Sequence, residues 1–264
     1  MNTSHQKCCD RVRRYLKPGA AILEVSCGKG FILGQLQAEG YRTTGTNYSR
    51  YAEQPEGVDI RVGVDILSGL PFPDAAFDGV ILCDVIEHLP DHVRTLGELV
   101  RVLKPGGYSF ILSPNTNKIS SRLHFLFTGF LKVKRAFVGF DVPADKAFAF
   151  HNHPPMLPVF LYQCHSAGLD WVELDATAPK FKSLLFWLLL VPWIKLITWA
   201  NVKKERNLSG RPEGALMNRA LTSFKALCGE SWVLVHRRRA GTTAAEGVRA
   251  TVLPAWHVRA SAAG

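Results

Sequence analysis

Short apolar runs alternate with stretches of helical periodicity through the first half of the 264-residue chain. Runs of apolar and β-branched residues that are bounded by Gly, Pro or polar residues are typical of strands. By this criterion the first half contains five predicted strands, at residues 20–25, 41–47, 58–65, 77–84 and 108–115.

Two helices are predicted between these strands. Residues 30–40 form a short helix that ends at Gly40, and residues 92–107 form a helix with one apolar face that ends at a Pro-Gly-Gly sequence. Alternation of strands and helices indicates right-handed crossovers and a parallel sheet with helices on both faces. Ligands of such sheets bind at the carboxyl ends of the strands.

The second half of the chain is less regular. A predicted helix at 158–169 is followed by predicted strands at 169–176 and 230–238. Together the patterns predict an α/β fold with a doubly wound, mostly parallel sheet of seven strands. The expected organisation is one domain over 1–240, with a substrate-side insertion at 114–155, an apolar and basic insertion at 177–229, and a disordered tail at 241–264.

Charge and cysteine content indicate the kind of partner and the cellular compartment. The net charge is +10 and the pI is near 9.5, which favours an anionic partner such as nucleic acid, anionic lipid or an acidic substrate, although a plain solvated basic surface would give the same charge. The six cysteines form no C-x-x-C pair, so zinc-ribbon spacing is absent. The cysteines indicate a reducing compartment, and the first residues contain no apolar segment typical of a signal peptide.

The sequence EVSCGKG at 24–30 lies between a predicted strand and a predicted helix, where nucleotide-binding loops occur. A dinucleotide loop would have a third glycine and an acidic residue about 20 residues further on. Gly28 and Gly30 fit the first two glycines, but Leu33 occupies the third position and Asn47 the acidic one. The pattern therefore argues against NAD.

Four stretches, in this order and spacing, carry a resemblance to a different family. They are ILEVSCGKG at 22–30, GYRTTGTNYS at 40–49, the stretch from VGVDIL to EHLPD at 62–91, and LGELVRVLKPGGYSFILSPN at 96–115. The chain resembles the class I S-adenosylmethionine-dependent methyltransferases, in particular the small-molecule subgroup with LDxGCGxG loops (methyltransferase types 11 and 23). The resemblance covers residues 20–115 and, more loosely, 150–175.

The resemblance implies S-adenosylmethionine as the cofactor and assigns a role to several residues. Glu24 would support the loop and the methionine end, Asp65 would accept a hydrogen bond from the adenine amino group, Ile66 would pack on the adenine ring, and Cys83 would lie beside the methyl donor. The loop itself would contribute Ser26, Cys27, Gly28 and Gly30.

Two positions depart from the family pattern. Ser26 replaces a glycine, which predicts backbone strain in the turn, and Asn47 replaces the acid that holds the ribose hydroxyls. Because a neutral hydrogen bond is weaker than a charge-assisted one, Asn47 is expected to weaken cofactor binding by about 1 kcal/mol. A domain that keeps the fold and has lost the cofactor is the alternative.

The segment after the fourth predicted strand bears on the acceptor. It contains CDVIEH instead of the (N/D)-P-P-(Y/F) sequence of nucleobase amino-methyltransferases, which favours O-methylation over C-methylation and argues against base amino groups. A hydroxyl acceptor must lose a proton, so His88 is the first candidate for general base and His151, with His153, the second. In similar quinone O-methyltransferases an acid-x-x-Glu-His cluster can hold a divalent cation, and Asp84, Glu87 and His88 match it. Helix capping and packing explain these residues better, so no metal is predicted.

An apolar run at 183–200 contains three tryptophans, has no charge from Leu184 to Ile194, and is followed by cations. It predicts either an interfacial helix or a buried cap over the acceptor pocket, and the stretch 123–140 has a similar mixture of Phe and cations. The prediction is a cytoplasmic methyltransferase that contacts the anionic inner membrane face and acts on a small-molecule or lipid-linked acceptor, such as a quinone precursor, a glycolipid or a surface-glycan intermediate. An RNA methyltransferase, favoured only by the charge, and a non-catalytic membrane-associated domain are the alternatives. The sequence leaves the oligomeric state open.

Overall fold

A computed structural model of the protein describes the backbone of residues 3–51, 54–133, 141–143, 150–179, 181–206 and 208–241. The predicted tail beyond Gly241, and residues 134–140 of the second Phe-rich stretch, lie outside the described residues.

The centre of the molecule is a seven-stranded sheet in the order β3-β2-β1-β4-β5-β7-β6. The first five strands are parallel, and β7 lies antiparallel between β5 and β6. This confirms the predicted doubly wound, mostly parallel α/β sheet. The strands are β1 Ala21–Val25, β2 Arg42–Asn47, β3 Asp59–Val62, β4 Phe77–Cys83, β5 Leu103–Pro114, β6 Leu169–Ala176 and β7 Ser231–Arg238.

Eight α-helices lie in the described part of the chain. A short 3-10 helix, Ile86–His88, follows β4. The α-helices are α1 Thr3–Tyr15, α2 Phe31–Ala38, α3 His92–Val102, α4 Ile119–Thr128, α5 Leu157–Ser166, α6 Phe181–Lys204, α7 Pro212–Thr222 and α8 Phe224–Cys228.

Helix α3 ends five residues earlier than predicted. The predicted helix extended to residue 107, but Leu103 has an extended backbone and pairs with Phe77 as the first residue of β5. Pro105 disfavours helical geometry at the residue before it. Gly107 then lies so close to β4 that a Cβ would approach the Asp78 carbonyl oxygen to 2.9 Å. The Pro-Gly-Gly sequence therefore belongs to the start of a strand.

Alternating side chains along the central strands divide the core between the two faces of the sheet. Leu23, Leu82 and Ile111 belong to a cluster with α3 and α5. Their neighbours Ile22, Ile81 and Phe110 belong to a cluster with α1 and α2. A third, smaller cluster lies beneath α6 and is formed by Ile119, Leu227 and Cys228. Two helical layers therefore cover the sheet, and α6 lies outside them.

Candidate active site

The carboxyl ends of β1, β2 and β4 meet at one edge of the sheet. The EVSCGKG loop follows β1, Asn47 is the last residue of β2, and Cys83 is the last residue of β4. Because parallel strands place their carboxyl ends side by side, the structure brings these predicted site residues to the same edge.

The loop after β1 is held in left-handed conformations. Ser26, Gly28 and Gly30 have φ angles of 55°, 58° and 71°. A left-handed serine costs about 1–2 kcal/mol relative to a right-handed one, so the predicted strain at Ser26 is present. Two hydrogen bonds to Thr46 offset this strain. The Ser26 N–H donates to the Thr46 Oγ1 at 3.3 Å, and the Cys27 N–H donates to the Thr46 carbonyl oxygen at 3.0 Å.

Asn47 fastens the loop to β2. Its Oδ1 accepts from the Gly28 N–H and its Nδ2 donates to the Gly28 carbonyl oxygen, both at 2.8 Å. The Cys27 thiol also lies 3.7 Å from Oδ1, and burial raises its pKa to about 12. The amide therefore holds the Ser26–Gly30 turn at its middle residue, through both the N–H and the carbonyl oxygen of Gly28. An aspartate here could not make the donor half of the pair.

Glu24 lies at the end of β1 with 4% of its surface exposed. Its Oε2 has no hydrogen-bond partner among the described residues, and burial raises the pKa of its carboxyl to about 8. A buried carboxyl oxygen without a partner is costly, and a cationic or N–H group of a ligand would satisfy it. The space where a Cβ of Gly28 would lie is open to at least 4 Å, so the loop also leaves room for a ligand.

The residues predicted to contact adenine lie in the turn after β3. The Asp65 carboxylate accepts from the Leu67 N–H at 2.9 Å and from the Ser68 hydroxyl at 3.1 Å. Ile66 is buried in the cluster with α3 and α5. Asp65 therefore holds its own turn in place, and Ile66 supports that turn from the core.

The side of this edge that the sequence predicts to face the acceptor is formed by the 3-10 helix. Glu87 is fully buried and its Oε2 accepts from the Ser113 hydroxyl at 3.1 Å. Burial raises the pKa of its carboxyl to about 8. The His88 Nδ1 lies 2.9 Å from the Phe150 carbonyl oxygen.

The structure brings together the two histidines predicted as bases. The rings of His88 and His151 are perpendicular, with their centroids 4.7 Å apart. Potential ligand atoms of Glu87, His88 and His151 all lie within 4.8 Å of one another. His153 differs: its side chain is exposed, and only its main chain joins the site, through an N–H that donates to the Glu87 carbonyl oxygen at 3.0 Å.

One residue at this edge was not among the predicted ones. His5, on α1, brings a ring nitrogen within 4.8 Å of the Cys83 thiol and the Asp84 carboxylate. The prediction missed it because α1 itself was not predicted. The signal was present in the apolar spacing of Cys8, Cys9 and Val12, all of which are buried.

The sequence comparisons agree with this geometry. Residues 23–111 match a family described as a methyltransferase domain. A protein of Mycolicibacterium smegmatis named as a probable S-adenosylmethionine-dependent methyltransferase is 38% identical over 103 residues, which is 37% of this chain and 39% of that protein. A 2-methyl-6-phytyl-1,4-hydroquinone methyltransferase of Synechocystis is 37% identical over 99 residues (35% and 31% of the two chains). A sterol 24-C-methyltransferase of Gibberella zeae is 33% identical over 103 residues (35% and 27%).

The fold also matches a solved structure over most of its length. The cyclase SpnF superposes with a TM-score of 0.53 at 17% identity, over 89% of this chain and 81% of that one. Its name shows that the fold by itself does not define the reaction. The matched regions cover less than half of the length of each of these three sequence relatives.

Fold, loop and family together define the class: the chain contains a class I S-adenosylmethionine-dependent methyltransferase domain. The family implies S-adenosylmethionine as the cofactor. The residues present fit it, because the open cradle at Gly28 admits a backbone-bound ligand and the buried Glu24 Oε2 offers an acceptor for the ammonium of its methionine end.

Proposed function

We propose that the protein transfers a methyl group from S-adenosylmethionine to an apolar or lipid-linked small molecule, with a hydroxyl oxygen as the acceptor. The observation that carries the proposal is the pairing of two arrangements at one sheet edge: the Asn47-held loop above the unpartnered Glu24 oxygen, and the His88–His151 pair. The first fits the cofactor and the second fits removal of a proton.

The cofactor, when bound, supplies an electrophilic methyl group on a sulfonium. The Gly28 and Gly30 backbone can approach it closely because no Cβ intervenes. Glu24 would accept from its ammonium, and the turn that Asp65 holds would lie against the adenine. Positioning and exclusion of water are the main contributions of the chain to an in-line displacement.

His88 has the correct tautomer for a general base. The Phe150 carbonyl oxygen can only accept, so His88 donates to it from Nδ1. In the neutral ring the basic nitrogen is then Nε2. A base that takes the hydroxyl proton as the methyl group is transferred accounts for about 10²–10⁴ in rate. His151, perpendicular to His88, would orient the same ring or accept the proton next.

The names of the relatives support an apolar acceptor. One is named for a phytyl hydroquinone and another for a sterol, and both acceptors are large and apolar. A quinone precursor is therefore the first acceptor class to test, with glycolipids and surface-glycan intermediates after it. The sterol relative is named as a C-methyltransferase, which makes C-methylation the second candidate reaction.

The cysteines support a cytoplasmic setting for the reaction. No disulfide joins any of the six among the described residues, and Cys8, Cys9, Cys164 and Cys228 are buried. Buried free thiols persist in a reducing compartment, where disulfides are rare.

The test is transfer of labelled methyl from S-adenosylmethionine to detergent-solubilised membrane lipids, with total RNA as a parallel acceptor. We expect label in the lipid fraction, and a ¹³C spectrum of the product that shows a methyl group on oxygen. Label in RNA, or in neither pool, would contradict the proposal, and a methyl group on carbon would favour the second candidate.

A matched pair of variants tests the base. His88→Ala should lower kcat about 100-fold with cofactor affinity unchanged. His124 makes the same kind of contact, with its Nδ1 2.9 Å from the Phe130 carbonyl oxygen, but lies on α4. His124→Ala should therefore keep its kcat, and equal losses in both variants would remove His88 from the chemistry.

A further inference from the structure

From Phe186 to Ala200, helix α6 is apolar on all sides apart from Lys195 and Thr198. On its inner side, Trp187, Leu190, Val191 and Ile194 pack against the cluster formed by Ile119, Leu227 and Cys228. A helix that is hydrophobic all round is normally buried on every side. The outer side of α6 therefore needs a cover that the described chain does not provide.

The outer side of α6 exposes large apolar side chains. Leu189 is 63% exposed and Trp193 65% exposed. Helix α4 contacts α6 and adds three more exposed side chains at its end. We call this set the α4–α6 face: Phe125, Leu126, Phe127, Phe186, Leu188, Leu189, Trp193, Leu196, Ile197 and Trp199. Contiguous exposed apolar patches of this kind mark interaction sites.

Cations border the α4–α6 face. From Phe186 to Arg206 the chain has four basic residues, all exposed, and one acidic residue, Glu205. The Lys203 ammonium lies 5.0 Å from the centre of the Trp199 ring. Tryptophan and lysine side by side at the end of an apolar helix are typical of the headgroup region of a membrane, where the ring is half-buried and the ammonium meets phosphate.

We propose that the α4–α6 face docks on the surface of an anionic lipid bilayer, with α6 lying in the plane of the interface. No helix in the described part of the chain is long and apolar enough to cross a membrane. Lys195, in the middle of the apolar stretch, suits a helix parallel to the surface because its ammonium can reach the headgroups. The net charge of +10 favours an anionic surface and disfavours a second copy of this chain.

The α4–α6 face lies close to the candidate site, which suggests a function for docking. Helix α4 begins at Ile119, five residues after β5 ends at the site edge, and the connecting residues 115–118 are buried. The Thr116 hydroxyl donates to the Pro155 carbonyl oxygen at 2.7 Å, beside the segment that carries His151 and His153. Because so few residues separate α4 from the site edge, a face anchored in lipid would place the acceptor side of the site next to the bilayer. Docking itself goes beyond the proposed methyl transfer and does not depend on it.

The experiment is co-sedimentation of the full chain with vesicles of phosphatidylglycerol and phosphatidylcholine, and with phosphatidylcholine alone, without cofactor. We expect binding to the mixed vesicles that weakens as salt is added. Leu189→Ser/Trp193→Ser should weaken it by about tenfold or more, since both side chains leave water on docking. Trp187 is unsuitable for this test because it packs inward, edge-on to the Phe224 ring at 5.3 Å.

Matched variants distinguish docking of the α4–α6 face from nonspecific hydrophobic adsorption and from electrostatic attraction. Val172, on the edge strand β6, is 42% exposed and apolar, so Val172→Ser should bind vesicles like the wild type. Lys203→Glu/Lys204→Glu should weaken binding to the mixed vesicles only. Failure of the wild type to bind mixed vesicles would overturn the proposal. So would a Leu189→Ser/Trp193→Ser variant that binds like the wild type, or a wild-type dimer in sedimentation velocity that this variant abolishes.

Discussion

The two halves of the sheet build their parts of the site differently. In the β1–β3 half, the contacts are hydrogen bonds within a short stretch of chain, through which the Asn47 and Thr46 side chains hold the main chain of the Ser26–Gly30 turn. In the β4–β7 half, side chains from separate segments meet, as the rings of His88 and His151 do. The Phe150 carbonyl oxygen that contacts His88 lies 62 residues further along the chain. Under the proposed function, the locally built half would bind the cofactor, which is constant, and the half assembled from separate segments would face the acceptor.

Asp175, on β6, links α1 and α8 to the edge of the β4–β7 half, and its loss should have the largest effect. Its buried carboxylate bonds Lys7 at 3.0 Å and Arg11 at 2.6 Å on α1, and Lys225 at 2.8 Å on α8. Burial alone would raise the pKa of Asp175, but the bonds from Lys225 and Lys7 hold it well below its usual value. Asp175→Asn should lower the free energy of unfolding by about 3 kcal/mol, measured by urea denaturation.

Asp59 provides the control for Asp175. It is exposed and its nearest cation, Arg61, lies 4.0 Å away, so Asp59→Asn should change stability little. Equal effects of the two variants would mean that Asp175 does not hold α1 and α8 against β6.

Gly28 and Gly19 are matched positions that test cofactor binding by the β1–β3 half. Both have positive φ, and a Cβ on either would meet nothing within 4 Å, so alanine strains both alike. Only Gly28 lies in the proposed cradle. Gly28→Ala should weaken S-adenosylmethionine binding by about 2 kcal/mol, or about thirtyfold, and Gly19→Ala should leave it unchanged in calorimetry. Unchanged affinity in Gly28→Ala would move the cofactor away from this loop.

His236, buried in β7 of the second half, should make the stability of the protein sensitive to acid. Neither ring nitrogen has a hydrogen-bond partner among the described residues, and burial lowers its pKa to about 3. Protonation is therefore easier in the unfolded chain, with its ordinary pKa near 6.5, and stability falls as pH drops below that value. Between pH 7.5 and pH 5 the wild type should lose about 2 kcal/mol through this residue.

His236→Leu should remove that loss, as seen in denaturation at both pH values. His165 is exposed, so His165→Leu should keep the wild-type difference. A His236→Leu variant with the same loss as the wild type would contradict the assignment.

Asn47→Asp should have the smallest effect, and its sign discriminates between two accounts. The family pattern has an acid here, which would predict tighter cofactor binding. The structure predicts weaker binding, by about 1 kcal/mol, because the Nδ2 bond to the Gly28 carbonyl oxygen is lost. Calorimetry gives the sign. Asn201→Asp, on the exposed side of α6, controls for the added charge, and tighter binding in Asn47→Asp would restore the ribose role of this position.

The sequence predicted the seven strands because most are apolar runs with clear ends, while β2 and β3 contain β-branched residues between turn signals. It predicted the cofactor loop because one short motif contains it. It missed α1 because only a few of its residues are apolar, and their partners, such as Phe110 and Val235, lie far away in sequence. It assigned residues up to 107 to α3 because the pairing of Leu103 with Phe77 is a tertiary contact. The role of Asn47 was also hidden, because residue type alone does not show which groups its amide contacts.

The most direct measurement is calorimetric titration of the wild-type protein with S-adenosylmethionine, its demethylated product and NADH. We expect micromolar binding of the first two ligands and none of the third, since the Asn47-held loop fits a sulfonium amino acid nucleoside and lacks the third glycine of a dinucleotide loop. Absence of binding at millimolar S-adenosylmethionine would contradict a cofactor site at this loop, and would leave a domain that keeps the methyltransferase fold without its cofactor.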